Sequence, residues 1–273
     1  MLGDVTPVDP VWVSPHSHAD RIEILAELGW TGMGFTQDEL SAARDAGTLK
    51  DLRRLLEAGG ITHVEVEFLT DWWCDGEAGE ASRRTLDVLL DAADELGAAF
   101  IKIGTAFQEP IPDLAPLVEP LRRLGETTAQ RGHRIVLEPA AVSMVESIPR
   151  GSELVTRADV ENVGLLVDFW HVLRAGTSTS ELLRTVPKGQ VWAVEITDAD
   201  AEPTGGDLFT DTVHNRRYPG DGAVDVAGLV EAMRTLGFDG PWGVEILSDE
   251  HRRLPLPEGM RRARDTTLPF LSR

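Results

Sequence analysis

The chain has 273 residues, 42% hydrophobic and 26% charged, with a formal net charge of −20. So acidic a chain repels nucleic acid and anionic lipid surfaces, and it carries no Lys/Arg run long enough to override that field. One cysteine, Cys74, excludes an intrachain disulfide and a thiolate metal cluster, and no stretch approaches the roughly 18 apolar residues of a membrane span.

Short apolar runs alternate with longer amphipathic segments along the chain. The first predicted strand is Val11–Val13, set among prolines. Asp4 and Asp9 precede it instead of a basic, apolar leader, so a cytoplasmic enzyme is expected. A helix follows at Ala19–Leu28, with Ile22, Leu25 and Leu28 at three-residue steps. Then come a strand at Trp30–Thr36, a helix at Leu49–Ala58, a strand at Ile61–Leu69 and a helix at Ser82–Leu96. Next are a strand at Ala99–Thr105, a helix at Leu114–Gln130, and strands at Arg134–Glu138, Val163–Asp168 and Val191–Thr197. A helix at Val226–Leu236 and a strand at Trp242–Leu247 complete the series. Gly29, Gly59, Gly97, Gly132 and Gly237 stand just past helices, where a left-handed stop is usual.

About eight strands alternating with helices predict an α/β (β/α)8 TIM barrel, one domain over 1–273, with a long polar loop at 198–224 after strand seven. An open doubly wound sheet is the rival. It is disfavoured because no Gly-x-Gly-x-x-Gly follows an early strand.

Four predicted strands end in acid: Ile135-Val136-Leu137-Glu138, Leu165-Leu166-Val167-Asp168, Trp192-Ala193-Val194-Glu195 and Trp242-Gly243-Val244-Glu245. In a barrel these ends converge on one mouth, where four anions repel one another and a hard divalent cation resolves the conflict. Any one of them alone reads as a cap or a surface group. Together they predict a metal site of Glu138, Asp168, Glu195 and Glu245, for Mn2+ or Mg2+ first and Co2+ or Zn2+ next.

Other residues are candidates for holding substrate. His171 follows Asp168 by three, and Arg217 and His214 lie in the Pro-Gly turn region of the long loop. Glu67 is late in the third strand, before Trp72-Trp73. Lys102 lies within the fourth, an expensive place for an unpaired ammonium, so a mouth carboxylate is its expected partner. His16 and His18 are candidate pocket residues. Trp72, Trp73 and Trp170 could stack on a sugar face or simply pack.

The motifs Val-Leu-Glu138-Pro, Val-Asp168-Phe-Trp-His171, Val-Glu195-Ile-Thr-Asp198, Arg217-Tyr-Pro-Gly-Asp-Gly and Gly-Val-Glu245 resemble the xylose isomerase-like barrel superfamily. That group includes sugar isomerases and epimerases, inosose dehydratases and dehydroshikimate dehydratases. The resemblance implies metal ligands at Glu138, Asp168, Glu195 and Glu245, with Glu138 and Glu245 also moving the proton. One departure stands out: the seventh-strand ligand, commonly His or Gln, is Glu195 here.

The resemblance further implies enediolate chemistry on a keto-sugar or related polyhydroxy ketone, as isomerisation or epimerisation, or dehydration on the same constellation. No phosphate-cradling loop is visible, which favours a free sugar, an inosose or another small ketone over a sugar phosphate. A homodimer or homotetramer is expected. A DNA-repair endonuclease of the superfamily would need several zinc ions, more strand-end histidines and a basic groove. A non-catalytic barrel subunit or sugar-binding module stays open, and metal content discriminates it.

Overall fold

The structure is a computed structural model that describes residues 6, 7, 9 and 11–272. Seven parallel strands form one sheet in chain order: β1 (Gly32–Thr36), β2 (His63–Leu69), β3 (Phe100–Ile103), β4 (Ile135–Leu137), β5 (Val163–Asp168), β6 (Val191–Ile196) and β7 (Gly243–Val244). Each neighbouring pair is parallel. The sheet curls into a nearly closed TIM barrel with its helices outside. The central strands β3, β4 and β5 are buried along their whole length, as parallel strands covered on both faces must be.

Helices cover the barrel where the apolar periodicity places them. They occupy His18–Glu27, Leu49–Ala58, Gly76–Leu96, Ala115–Ala129 and Val226–Thr235, within a few residues of the periodic segments except for an earlier start at Gly76. Seating is close in places. A Cβ at Gly151, on the helix Ile148–Ala158, would lie 2.2 Å from Pro139 Cγ. The stop after Leu49–Ala58 is shifted by one residue: Gly60, at φ 70°, takes the left-handed conformation, and Gly59 stays right-handed.

The first predicted strand is corrected. Val11–Val13 forms no strand, so the described residues supply seven strands instead of eight. Its backbone is engaged by side chains. Trp12 N–H donates to Asp38 at 2.7 Å, Ser14 N–H donates to Glu39 at 3.1 Å, and the Thr36 hydroxyl donates to the Trp12 carbonyl at 2.7 Å. Those groups are lost to a sheet ladder, and Pro15 brings no N–H of its own. The side between β1 and β7 holds a cavity of about 530 Å3 that reaches Glu67, Glu195 and Glu245.

The long loop after β6 is ordered around two buried aspartates. Asp198 accepts from the backbone N–H groups of Gly220, Gly222 and Val224, which fixes the Pro-Gly turn. Asp211, on the helix Leu208–His214, accepts from Trp170, Arg174 and Thr204. At the end of this loop system Phe209 meets Phe107 edge to face, with ring centres 5.4 Å apart.

Candidate active site

The four acids predicted at strand ends do converge. Asp168 closes β5, Glu195 is the next-to-last residue of β6, and Glu138 and Glu245 directly follow β4 and β7. One carboxylate oxygen from each lies within 4.8 Å of the others. Glu138, Asp168 and Glu195 are buried, and Glu245 is half-buried.

Two cations are threaded among them. Lys102 on β3 is 2% exposed, and its ammonium lies 2.8 Å from Glu195, 3.1 Å from Glu67, 3.4 Å from Glu138 and 3.7 Å from Glu245. Arg216, also 2% exposed, places Nη1 2.6 Å from Asp168 and 2.9 Å from Glu245. Thr212 holds the rest of the guanidinium through its carbonyl and hydroxyl, and the guanidinium carbon sits 5.5 Å from the Trp170 ring centre. Asp168 also caps the helix Phe169–Arg174 by accepting from Trp170 and His171 N–H, so its carboxylate is anchored from two sides.

Five carboxylates (Glu67, Glu138, Asp168, Glu195, Glu245) thus face two buried cations. Burial, with Glu245 and Asp168 nearby, pushes Glu138 up to about 7 against the pull of Lys102 and Arg216. Burial and the Glu245 charge push Glu195 well above the usual carboxylate range. Burial also raises Glu67. Glu245 goes the other way: burial opposes it, but Lys102 and Arg216 hold it down at about 2. Burial pulls on the Lys102 ammonium, yet the four surrounding carboxylates keep it charged.

His171 sits beside Glu138, with Nε2 3.6 Å from Oε1. Its Nδ1 accepts from the Ala141 N–H, which assigns the remaining proton to Nε2. Burial pushes this imidazole down to about 4, so it is neutral near pH 7.

The donor set fits a divalent ion. Oxygen ligands are what hard cations take, the site carries surplus negative charge, and Glu195 Oε2 is buried with no hydrogen-bond partner. Glu138, Asp168, Glu195 and Glu245 are the residues that would hold it.

The remaining predicted residues are distributed differently. Glu67 and Lys102 join the cluster from β2 and β3. Arg217 turns away and forms a two-point pair with Asp200, with its side chain 42% exposed. Its place among the carboxylates is taken by the neighbouring Arg216, which no motif in the sequence distinguishes from Arg217. His214 is held by Asp249 at 2.8 Å and makes no bond to the cluster. Trp72 donates from Nε1 to the carbonyl of Gly104, just past β3, and packs edge to face on Trp73. Trp170 is fully buried under Arg174 and Arg216, so it has no face free for a sugar. His16 and His18 line a separate shallow hollow with Arg21 and Glu39.

The profile of the xylose isomerase-like TIM barrel family matches residues 22–266. The 3-dehydroshikimate dehydratase of Pseudomonas aeruginosa is 27% identical over 239 residues, covering 86% of this chain and 37% of that protein. The chain therefore spans little more than a third of the dehydratase's length. The inosose isomerase of Bacillus subtilis is 28% identical over 158 residues, covering 57% of this chain and 55% of the isomerase. The crystal structure of the IOLI protein with a bound zinc atom superposes with a TM-score of 0.81 at 22% identity, covering 92% of both chains, which shows the shared fold.

Proposed function

Because the chain belongs to the xylose isomerase-like TIM barrel family, we propose that it moves a proton beside the carbonyl of a small polyhydroxylated ketone, as a divalent-metal-dependent isomerase or epimerase. The observation that carries this reading is the convergence of Glu138, Asp168, Glu195 and Glu245 within 4.8 Å. A divalent ion held there supplies Lewis-acid polarisation of a carbonyl and its neighbouring hydroxyl.

The chain's own residues supply the proton chemistry. Glu245 lies 3.7 Å from the Lys102 ammonium and 2.9 Å from Arg216 Nη1, which fix its carboxylate in the cluster. Glu138, directly after β4, and Glu245, directly after β7, lie in the same cluster, so one can remove the proton and the other return it. The neutral His171 directs an N–H toward the same region and orients a substrate oxygen. Return of the proton to the opposite face gives epimerisation, and return to the adjacent carbon gives aldose–ketose isomerisation.

A second reading, loss of a β-hydroxyl as water, is favoured by one observation. The dehydroshikimate dehydratase relatives align over 86% of this chain, whereas the inosose isomerases align over 57–58%. One experiment addresses both. Ketoses, inososes and 3-dehydroshikimate are incubated with protein and Mn2+ in deuterated water, and products are followed by NMR and mass. Deuterium at carbon without loss of water supports isomerisation or epimerisation; loss of one water supports dehydration. Glu138→Gln and Glu245→Gln should each abolish turnover with circular dichroism unchanged. Full activity in both variants would refute the assignment.

A further inference from the structure

The Lys102 ammonium crosses the barrel to reach Glu195, although β4 and β5 separate their strands in the sheet. It claims one oxygen, Oε1, at 2.8 Å, and the other oxygen of that carboxylate is left buried without a partner. The same ammonium touches Glu138 and Glu245, so it contacts three of the four residues able to hold a metal ion.

Resting on the metal reading above, we infer that Lys102 is a built-in counter-cation that sets how strongly this cluster takes up a divalent ion, with Glu195 as its nearest partner. Glutamate adds a negative charge to a buried cluster, and Lys102 cancels it at contact distance. The Glu195 charge is costly there alone, because a buried ion stripped of its partner keeps its desolvation cost and loses the compensating attraction. The lysine also stands within a few ångströms of any ion bound by the carboxylates and opposes it directly. With Lys102 holding Oε1, Glu195 Oε2 remains available to the ion.

The test is a double-mutant cycle on metal affinity, which needs no knowledge of the substrate. Chelator-stripped wild type, Lys102→Met, Glu195→Gln and the double variant are titrated with MnCl2 by isothermal calorimetry, with folding checked by circular dichroism. Lys102→Met should bind Mn2+ about tenfold or more tighter, and Glu195→Gln about tenfold or more weaker. The double variant, which removes one charge of each sign, should return to within roughly threefold of wild type. Should Lys102→Met fail to fold, the comparison of Glu195→Gln with the double variant carries the same question, since loss of the lysine must again tighten binding. Mn2+ uptake with affinity unchanged or weakened on removing Lys102 overturns this inference alone. Absence of uptake by all the proteins overturns the metal reading together with it.

Discussion

Replacing Arg216 with methionine removes the cation beside the most deeply buried acid of the site while keeping most of the side-chain volume. Asp168 is 0% exposed, and Arg216 Nη1 lies 2.6 Å from it. Without the guanidinium, Asp168 keeps only its two helix-capping N–H donors, and Thr212 loses a donor to its carbonyl. Breaking a buried ion pair by removing one partner costs about 3–5 kcal/mol. For a chain of this size that loss lowers Tm by roughly 6–20 °C. The adjacent Arg217 is a control of identical chemistry, because its pair with Asp200 is partly exposed and such pairs contribute about 0–1 kcal/mol. The assay is urea denaturation of wild type, Arg216→Met and Arg217→Met, with chelator present so that bound metal does not compensate. Equal losses in the two variants, or a larger loss at Arg217, would refute the assignment of Arg216 as the buried partner.

Two further predictions concern stability. His251 is buried and pushed down to about 3, with its Nδ1 2.6 Å from the Tyr218 hydroxyl. Between an unfolded value near 6.5 and this one, the unfolded chain takes up a proton that the folded protein refuses. The stability owed to the neutral imidazole is therefore complete above pH 6.5 and lost as pH falls. From pH 7 to pH 5, wild type should lose about 2 kcal/mol more than His251→Asn in urea denaturation, and parallel losses would exclude the mechanism. In β5, a Cβ at Gly164 would sit 2.2 Å from Trp192 Cδ2, so Gly164→Ala should cost about 1–3 kcal/mol by overpacking. An unchanged denaturation midpoint would show that the indole moves aside freely.

Much of the site was legible before the fold because its signal is local. A carboxylate directly after a short apolar run marks the end of a parallel strand, and parallel strands in a barrel all end at one mouth. Glu138, Asp168, Glu195 and Glu245 follow that rule. Arg216 escaped because it and Arg217 are neighbours of the same type. Asp198 and Arg217 form an antiparallel bridge, and consecutive side chains on extended backbone point to opposite sides. Which side faces the cluster is a matter of register, and the sequence carries no separate mark for it.

By itself, the order of residues determined the alternation of strand and helix, the barrel and the acids at its rim, since periodicity and strand ends depend on near neighbours. Only the tertiary structure decided that Val11–Val13 gives its backbone to Asp38, Glu39 and Thr36 instead of to a sheet, because those partners lie more than twenty positions away in the chain. It likewise decided that Lys102 meets four carboxylates from other strands and that Glu138 and Glu245 titrate so far apart. Both follow from distances and burial that exist once the barrel curls, when charges remote along the chain come within a few ångströms in a place that water barely enters.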